Sequence, residues 1–543
     1  MKPTRRAWLL LGLAAVGCLK QGSTSAVQSG EPWAELRSQH FKVMSDLGEE
    51  QANLVIGSFE ETYDLLGKVV FGGSAVPSFE TNALIFEREQ DLRQFVGDGF
   101  GGQYMPWLPN DVEPAPTVLA SGTLSPFARL LFTHELTHRF NHVALGPTPT
   151  WLNEGLADYY STIRGEGDAA VVGEIDPRYM CTPDGLGDLE CYQYEKLRGS
   201  RLPRASDVIR LDHESFYHRQ GALEKGAATW EQKRSRSENY AVAWLLVHLL
   251  MHGEKGYAKQ FRSTLSAPSS PLKGAALADI VMRVPAAELN RDFDAYLQNS
   301  IPWRQHHAAP PKLPSQLERR TLHDSEVLLL WARLDAFDGK FAGRAHDRLL
   351  AASEQRDTAA DVGAASFWLG RYSQLHDDTG GAEQHYREAL ELEPGNPEYL
   401  YGLLNLYWAD GRGMTWLQAA RSAQVGKTIA ELSKTARSAS QLNAVAAYQL
   451  FGHDLPAALE TSERACQASP DCWACFHNRA AALAAASRPG DAADAEHEAL
   501  NRLPEGAAAE MVKLVSRSVD YYERVARDPS SVEGQPRPGL LAP

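Results

Sequence analysis

The sequence lacks basic clusters, long apolar runs and abundant cysteine. Its 54 Lys and Arg residues are outnumbered by 69 Asp and Glu residues, which gives a net charge of −15, and no long run of Lys or Arg occurs. Binding to phosphate backbones needs a basic face, so this balance argues against nucleic acid as a main partner. No apolar run reaches the roughly 18 residues of a membrane-spanning helix.

The rest of the composition is that of a globular protein. The chain has 543 residues, of which 43% are hydrophobic and 23% are charged. These fractions exclude a mainly disordered chain and leave enough apolar material for a core. At roughly 150 residues per domain, the length predicts three or four domains or a repeat array.

The first residues have the pattern of an export signal. Lys2, Arg5 and Arg6 precede the apolar stretch 7–17, which ends at Cys18. A basic start, a short apolar segment and a small-residue exit are typical of secretory signals. We therefore expect an exported protein of the bacterial cell envelope or periplasm.

Residues 15–18, Ala-Val-Gly-Cys, resemble a bacterial lipobox, whose cysteine is lipidated and becomes the first residue of the mature chain. The resemblance implies a lipoprotein signal peptide at 1–17, a membrane anchor at Cys18 and a tether at 18–38. A plain signal peptide cut nearby is the alternative, and residues 4–9 also resemble a twin-arginine signal. Whether the anchor lies in the inner or the outer membrane stays open.

Five cysteines remain besides Cys18, so they cannot all pair with one another. Cys181 and Cys191 flank a loop rich in Pro, Gly and Asp, and a disulfide between them is possible in an oxidising compartment. The other three cysteines cluster near the C-terminal end of the chain.

That cluster consists of Cys466, Cys472 and Cys475, with His477 beside it. A covalent haem site would need His directly after the second Cys of the Cys-x-x-Cys pair, and Phe476 stands there instead. A small metal site built from the three thiols and His477 is one alternative. One disulfide plus one buried thiol is the interpretation that we favour.

Changes in pattern along the chain predict separate domains. Residues 39–300 have a mixed α/β pattern, 301–320 form a Pro-rich linker, 321–515 are Ala-rich and helical, and 516–543 form a C-terminal tail. The mixed part predicts strands at 40–44, 82–86 and 117–120 and helices at 49–70, 127–143, 152–161 and 241–251.

The helical part repeats. The small residues and prolines at 458, 465 and 470 recur as Ala492, Ala499 and Pro504, each shifted by 34 residues. This is the period of tetratricopeptide repeats, in which pairs of helices stack into a solenoid. Solenoids offer concave surfaces to peptides and helices, so we expect protein partners here. An unrelated Ala-rich helical bundle is the alternative.

The most specific motif is His134-Glu135-Leu136-Thr137-His138. On a helix, positions i and i+4 share a face, so both imidazoles can reach one metal ion. The Glu between them lies beside that face, where a general base is needed. Chance alone would give about 0.03 such patterns in this chain, which is not negligible. The surrounding residues therefore decide between a metal site and a chance match.

The residues that follow supply what a zinc site still needs. Zinc in a catalytic site takes three protein ligands and leaves one position open. Glu154 lies sixteen residues after His138 in a second predicted helix, beyond a Gly-Pro-Thr-Pro turn, and is the candidate third ligand. Asp158 follows one helical turn later and can accept the N–H of a ligand imidazole, for which we expect His138.

The His-Glu-x-x-His motif, followed by Asn153-Glu154 and Asp158, resembles the gluzincin metallopeptidases. The first motif is similar to the thermolysin family and residues 151–157 to the aminopeptidase-like gluzincins. Residues 39–300, with Tyr240 and the helix after it, look most like the peptidase-MA-like group of bacterial envelope proteins.

The resemblance implies an α+β zincin-like metallopeptidase domain followed by an all-α tetratricopeptide-repeat solenoid. It implies one zinc ion per chain on the three ligands, Glu135 as general base and Asn153 in a supporting role. Tyr240 would donate to the oxyanion, or else be a core aromatic. It also implies that 117–120 form the edge strand that binds an extended peptide. His142 and His248 are expected to be structural.

Three functions follow from this pattern. The first is an active zinc endopeptidase of the cell envelope that hydrolyses protein or peptide substrates, with the repeats recruiting partners. The second is a non-catalytic zinc-containing scaffold that binds proteins through its repeats. The third is a repeat adaptor whose His pair is only a core feature. The sequence does not identify the substrate.

Overall fold

The computed structural model describes residues 31–70, 80–96, 102–105, 117–122, 126–166, 169–173, 202–217, 230–270, 273–298, 304–307, 317–335, 341–409, 423–470, 472–503, 509–532 and 538. The predicted signal peptide, the lipidation site Cys18 and the predicted pair Cys181 and Cys191 lie outside these residues. No helix in the described ranges is both long and apolar enough to span a bilayer.

A six-stranded mixed sheet organises the first half of the chain. Its strands are β1 Ala34–Arg37, β2 Phe41–Ser45, β3 Thr81–Phe86, β4 Gly102–Met105, β5 Thr117–Ser121 and β9 Glu318–Thr321. Their order in the sheet is β4-β5-β3-β2-β1-β9. Strands β2, β3 and β5 run parallel, and the other neighbours pair antiparallel. A small second sheet contains β6 Arg164–Glu166, β7 Ala169–Val172 and β8 Arg304–His307.

Helices cover both faces of the large sheet. In this half they are α1 Glu49–Val69, α2 Glu89–Val96, α3 Pro126–Leu145, α4 Thr150–Ser161, α5 Ala205–Val208, α6 His213–Tyr217, α7 Trp230–His252, α8 Gly256–Leu265, α9 Lys273–Met282 and α10 Ala286–Leu297. The predicted strands and helices are all present. The helix predicted from 241 begins eleven residues earlier, at Trp230. Its first half is polar and carries no apolar pattern, so the sequence did not predict this start.

The alternation of side chains explains the continuous apolar run 83–86 in β3. In β3, Ala83 and Ile85 face the main core with α1, α3, α4 and α7, whereas Leu84 and Phe86 face a second core on the other side. Successive side chains of a strand point to opposite faces, so a strand covered on both sides has no polar position to spare.

The predicted edge strand is interior. Residues 117–120 belong to β5, which pairs with β3 on one side and with β4 on the other. Residues 102–105, which lie in Gly- and Pro-rich surroundings, form β4 at the edge of the sheet as the structure describes it. The expectation that 117–120 bind an extended peptide is therefore wrong.

The predicted tether and linker both contain strands of the sheets. Residues 34–37 form β1 inside the predicted tether. Residues 304–307 form β8 inside the predicted linker, and 318–321 form β9 across its end at 320. None of the linker prolines lies within a strand, since Pro302 precedes β8 and the other three lie between β8 and β9. The backbone N–H of Leu322 also donates to the Trp33 carbonyl at 2.8 Å, which ties the two ends of this part together.

The second face of the sheet is covered by the first helix of the array, α11 Asp324–Leu334. Trp331 of α11 makes edge contacts with Trp33, Phe86 and Phe95, at ring-centroid distances of 6.1, 6.4 and 5.5 Å. These side chains share one core, so the sheet and the array are packed against each other.

The second half is an all-α array of paired helices. These are α12 Ala342–Gln355, α13 Ala359–Leu375, α14 Thr379–Leu392, α15 Pro397–Ala409, α16 Ala423–Thr435, α17 Ala439–Phe451, α18 Leu455–Ala468, α19 Trp473–Ala485, α20 Pro489–Asn501 and α21 Ala509–Arg527. The starts of α17 and α19 are 34 residues apart, as are those of α18 and α20. The predicted repeat solenoid is confirmed.

The array extends beyond the predicted end at 515. Helix α21 continues to Arg527, and Val515, Val519 and Tyr522 on it are buried at helical spacing. These side chains cover the last pair of helices, which would otherwise expose its apolar face. The tail predicted from 516 therefore begins as part of the fold.

The cysteines of the array follow the favoured interpretation. Cys472 and Cys475 form a disulfide, and Cys466 is a buried thiol. His477 is hydrogen-bonded to the buried Glu496 at 2.6 Å.

Candidate metal centre

Three side chains from two helices converge on one point. Helix α3 carries His134 and His138 one turn apart, and α4 carries Glu154. The Nε2 atoms of the two histidines are 3.1 Å apart, and Glu154 Oε2 lies 3.3 Å from His134 Nε2 and 3.6 Å from His138 Nε2. The chain reverses between the helices at Gly146, whose φ of 67° is strained for any residue with a side chain.

This spacing fits a tetrahedral cation. Ligand atoms about 2.0–2.2 Å from a zinc ion lie about 3.4 Å from one another, close to the three observed separations. Glu154 Oε2 and His138 Nδ1 are buried and lack a hydrogen-bond partner among the described residues. A carboxylate oxygen facing two imidazole nitrogens in a buried site is costly unless a positive charge lies between them. The three residues therefore fit a zinc ion.

Asp158 supports His134 instead of His138. Its Oδ1 accepts from His134 Nδ1 at 2.9 Å, so in the neutral imidazole Nε2 is the unprotonated nitrogen and faces His138 and Glu154. The prediction that Asp158 would serve His138 is wrong. Asp158 lies one turn after Glu154 on α4, and both histidines lie on one face of α3. This spacing alone therefore does not determine which of the two imidazoles the Asp158 carboxylate contacts.

The electrostatics of the cluster favour positive charge. Burial lowers the pKa of His134, but the hydrogen bond to Asp158 and the facing carboxylate of Glu154 outweigh this and hold that pKa well above its usual value. The pKa of His138 is raised in the same way by Glu154, against its burial. Burial raises the pKa of Glu154, but the two histidines lower it by more than burial raises it. The net pKa is below the ordinary value, so this carboxylate stays ionised. The same field that attracts protons attracts a divalent cation.

Tyr217 is a site residue that sequence reasoning missed. Its hydroxyl donates a short hydrogen bond to Glu154 Oε1, the oxygen that does not face the histidines. Tyr217 ends the five-residue helix α6, 63 residues beyond Glu154 in the chain. No motif spacing connects the two positions, so the sequence offered no signal for this contact.

Asn153 connects the two ligand helices. Asn141 of α3 is buried, and its Nδ2 donates to Asn153 Oδ1 at 3.0 Å. This bond joins α3 to α4 next to the ligands. The supporting role that the resemblance implies for Asn153 stays a prediction, since in the described hydrogen bonds Asn153 contacts Asn141 and no candidate ligand side chain.

Glu135 lies against the edge strand. Its Oε2 accepts the backbone N–H of Tyr104 in β4 at 2.5 Å. A Cβ at Gly102, two residues earlier, would come within 3.4 Å of Glu135 Cγ. The Tyr104 hydroxyl is 3.0 Å from His142 Nδ1, so His142, one turn beyond His138, also positions β4.

Tyr240 lies one aromatic ring away from the cluster. Its ring centroid is 6.1 Å from that of Tyr217 and 5.4 Å from that of Phe216. Tyr240 therefore borders the site through Tyr217. His248 is fully buried and bonded to the Tyr296 hydroxyl and the Gly173 carbonyl, the contacts expected of a structural histidine.

A second cluster of possible ligands lies where the array begins. His323, Asp357 and Asp361 bring donor atoms together, but each has partners of its own. Asp361 accepts from Thr358, and Asp357 accepts from Ser325, as expected of carboxylates near helix N-termini. These contacts explain the cluster without an ion.

Comparisons with known proteins add little. No family model and no curated protein matches the sequence. Among solved structures, yeast Tom70 is 11% identical, with 76% of this chain and 83% of that chain covered at a TM-score of 0.25. The TPR domain of P58(IPK) is 14% identical, with 63% of this chain and 95% of that chain covered at a TM-score of 0.17. Overlaps this loose carry no argument about this chain.

Proposed function

We propose that the protein is a zinc-dependent endopeptidase with a zincin-like domain. In this proposal His134, His138 and Glu154 hold one zinc ion per chain. The observation that carries it is the convergence of three ligand atoms 3.1–3.6 Å apart around a buried carboxylate oxygen without a partner. Glu135, on the same helix as the histidines, supplies the general base that such chemistry needs.

The chain's own groups have distinct tasks. A zinc ion bound by the three ligands supplies Lewis acidity, which lowers the pKa of water and polarises a carbonyl group. Glu135 takes the proton of the attacking water and gives it to the leaving amine. The Tyr104 N–H holds one oxygen of Glu135 in place and leaves the other for this transfer. Asp158 keeps His134 in the tautomer that binds metal.

Strand β4 is the proposed substrate strand, in place of 117–120. It pairs with β5 on one side and has no strand on the other among the described residues. An extended peptide can add to such an edge through main-chain hydrogen bonds. Because Glu135 contacts β4 directly, a peptide bound there would pass close to the ligands.

Two tyrosines are candidates for stabilising the developing oxyanion. Tyr240 is proposed on the family resemblance, and Tyr217 is nearer, since its hydroxyl already reaches Glu154. A donor to the oxyanion acts mainly in the transition state, so its loss lowers kcat and leaves zinc binding intact. Tyr240→Phe is expected to behave in this way if Tyr240 is the donor.

Zinc content and cleavage test the proposal together. Elemental mass spectrometry of the full chain is expected to find one zinc ion per chain, lost in His138→Ala and retained in Glu135→Gln. Cleavage of unfolded casein is expected in the wild-type protein and absent in Glu135→Gln. Metal-free protein after zinc is supplied would refute the site, and undiminished cleavage in Glu135→Gln would refute the mechanism.

The alternative function is a zinc-containing scaffold without turnover. It predicts one zinc ion per chain and no cleavage that depends on Glu135. In either case we propose that the array binds protein partners, because stacked helix pairs form an extended surface for peptides or helices. Residues 1–18 support the further proposal that the protein is exported and lipid-anchored at Cys18. Fatty-acid labelling that disappears in Cys18→Ala would establish this anchor.

A further inference from the structure

The disulfide between Cys472 and Cys475 lies at the start of a helix. Cys472 is the N-cap residue of α19, and its Sγ accepts the backbone N–H of Cys475 at 3.1 Å. The two cysteines are three positions apart, so the bridge closes a very short loop. Short loops gain the least stability from a cross-link, because they remove little freedom from the unfolded chain.

The preceding repeat shows that the fold does not need this bridge. The positions 34 residues earlier are Ser438 and Gln441, which begin α17 with a capping box. There the Ser438 hydroxyl accepts the backbone N–H of Gln441 at 3.3 Å, the bond that Cys472 Sγ makes in α19. An ordinary polar cap therefore starts the equivalent helix without a covalent bond.

The two sulfur atoms differ in access. Cys475 is fully buried, whereas Cys472 is partly exposed, so an attacking thiolate can reach Cys472. Cys472 also lies at the N-terminus of a 13-residue helix, where the helix dipole and its N–H groups favour a thiolate.

We propose that Cys472 and Cys475 are a redox-active pair that exchanges its disulfide with an external dithiol. A thiolate of the dithiol attacks Cys472 Sγ, the bond to Cys475 breaks, and Cys475 leaves as a thiolate that takes up a proton. The second thiol of the reductant then loses its proton and attacks the reductant's first sulfur, which is bonded to Cys472 in the mixed disulfide. Cys472 leaves as a thiolate and takes up a proton. The pair gains two electrons and two protons, and the dithiol becomes a disulfide.

Cys466 is an internal reference for this chemistry. It is buried, and burial raises the pKa of its thiol to about 11, so it stays protonated and is shielded from reagents. Its alkylation in the native protein reports unfolding, whereas alkylation of the other two cysteines after reduction reports exchange.

The test is reduction of the native full chain by dithiothreitol, with alkylation and peptide mass spectrometry to identify each thiol. Cys472 and Cys475 are expected to be reduced within minutes, with an unchanged far-UV circular dichroism spectrum and Cys466 unlabelled. A disulfide that resists reduction until denaturant also exposes Cys466 is a structural one, and this result would overturn the proposal.

Single variants identify the attacked sulfur. The lone Cys472 thiol in Cys475→Ser is expected to react with oxidised glutathione at least tenfold faster than the lone Cys475 thiol in Cys472→Ser. Equal rates would overturn the assignment. The matched control combines Cys472→Ser with Cys475→Gln, which copies the cap of α17, and it is expected to keep the helix content while losing all exchange.

Discussion

Asp158 holds the tautomer of His134, and its effect can be measured apart from catalysis. The change Asp158→Asn removes the carboxylate that accepts from His134 Nδ1. We expect zinc affinity to fall by about 10- to 100-fold with the fold retained, because the imidazole loses its orientation and part of its basicity. Competition with a chromogenic chelator measures this affinity. Asp361→Asn is the control, since Asp361 contacts His323 at the same 2.9 Å but belongs to a different cluster, and an equal loss there would contradict the assignment.

Tyr217 is expected to stabilise the ligand position of Glu154. In Tyr217→Phe the short hydrogen bond to Glu154 Oε1 is lost, so the carboxylate is less fixed and zinc affinity is expected to fall about tenfold. The same chelator competition tests this, with Tyr240→Phe as the matched control that removes a neighbouring hydroxyl. Equal affinity of the Tyr217→Phe and wild-type proteins would show that Tyr217 does not position the ligand.

The convergence of His134, His138 and Glu154 could be predicted from the sequence, but the contacts around these side chains could not. His134 and His138 are fixed by one helical turn, and Glu154 follows after one short reversal, so local periodicity was enough. Tyr217 comes from a separate short helix, and the choice of Asp158 between two imidazoles depends on how α4 packs against α3. Both are tertiary facts that no spacing in the chain encodes.

At the scale of elements, Gly155 determines how closely α4 approaches α7. A Cβ at this position would lie 2.5 Å from the Ala243 carbonyl oxygen and 2.7 Å from Val247 Cγ2. Gly155→Ala is therefore expected to push α4 away, with a loss of about 1–3 kcal/mol in stability and of about tenfold in zinc affinity, because Glu154 is the preceding residue. Urea unfolding and chelator competition measure the two effects.

Gly67 provides the control for that substitution. It also lies in a helix, α1, but a Cβ there would meet nothing within 4 Å. Gly67→Ala is expected to raise stability by about 0.5–1 kcal/mol through the unfolded chain and to leave zinc binding unchanged. Similar losses in both variants would mean that close helix packing is not the cause.

Helix α1 is tied to the first strands by a buried carboxylate whose effect depends on pH. Burial raises the pKa of Glu60, but hydrogen bonds from His40 and Ser38 outweigh it and hold the pKa below its ordinary value near 4.5. A lowered pKa in the folded state adds stability above the unfolded value, and this stability is lost as pH falls through the folded value.

The wild-type protein is therefore expected to lose stability more steeply below about pH 4.5 than Glu60→Gln, which has no charge to lose. Thermal unfolding at several pH values between 3 and 7, in roughly half-unit steps, measures the two slopes. Glu50→Gln on the exposed face of the same helix is the control and is expected to follow the wild-type curve. Identical slopes in wild type and Glu60→Gln would remove Glu60 from the acid response.

Elements with a strong period were predictable, whereas short edge elements were not. The helices α1, α3 and α4 follow from apolar spacing, and β2, β3 and β5 follow from apolar runs. Strand β4 has only four residues, begins with glycine and is held by β5 and Glu135, so its conformation is imposed by its neighbours. The same is true of β9, whose four side chains are all exposed.

At the scale of the whole molecule, Trp331 joins the sheet to the array. It is 4% exposed and lies in one core with Trp33 and Phe86. Trp331→Ala is expected to cost about 3–5 kcal/mol and to lower the unfolding temperature of both parts together. Calorimetry of the wild-type and variant proteins measures this. The variant also loses the contact of the Trp331 ring with the Arg348 guanidinium, which lies 5.0 Å from the ring centroid. An effect confined to the array would show that the two parts unfold independently.

The ends of the first part lie side by side, because the Leu322 N–H is bonded to the Trp33 carbonyl. Between these two residues the chain makes a closed excursion, as an inserted domain does within a host protein. Trp33 and Leu322 are therefore neighbours in space although 289 positions separate them in the chain. The size of the unit between them can change without moving the start of the array away from β1, as long as this hydrogen bond is kept.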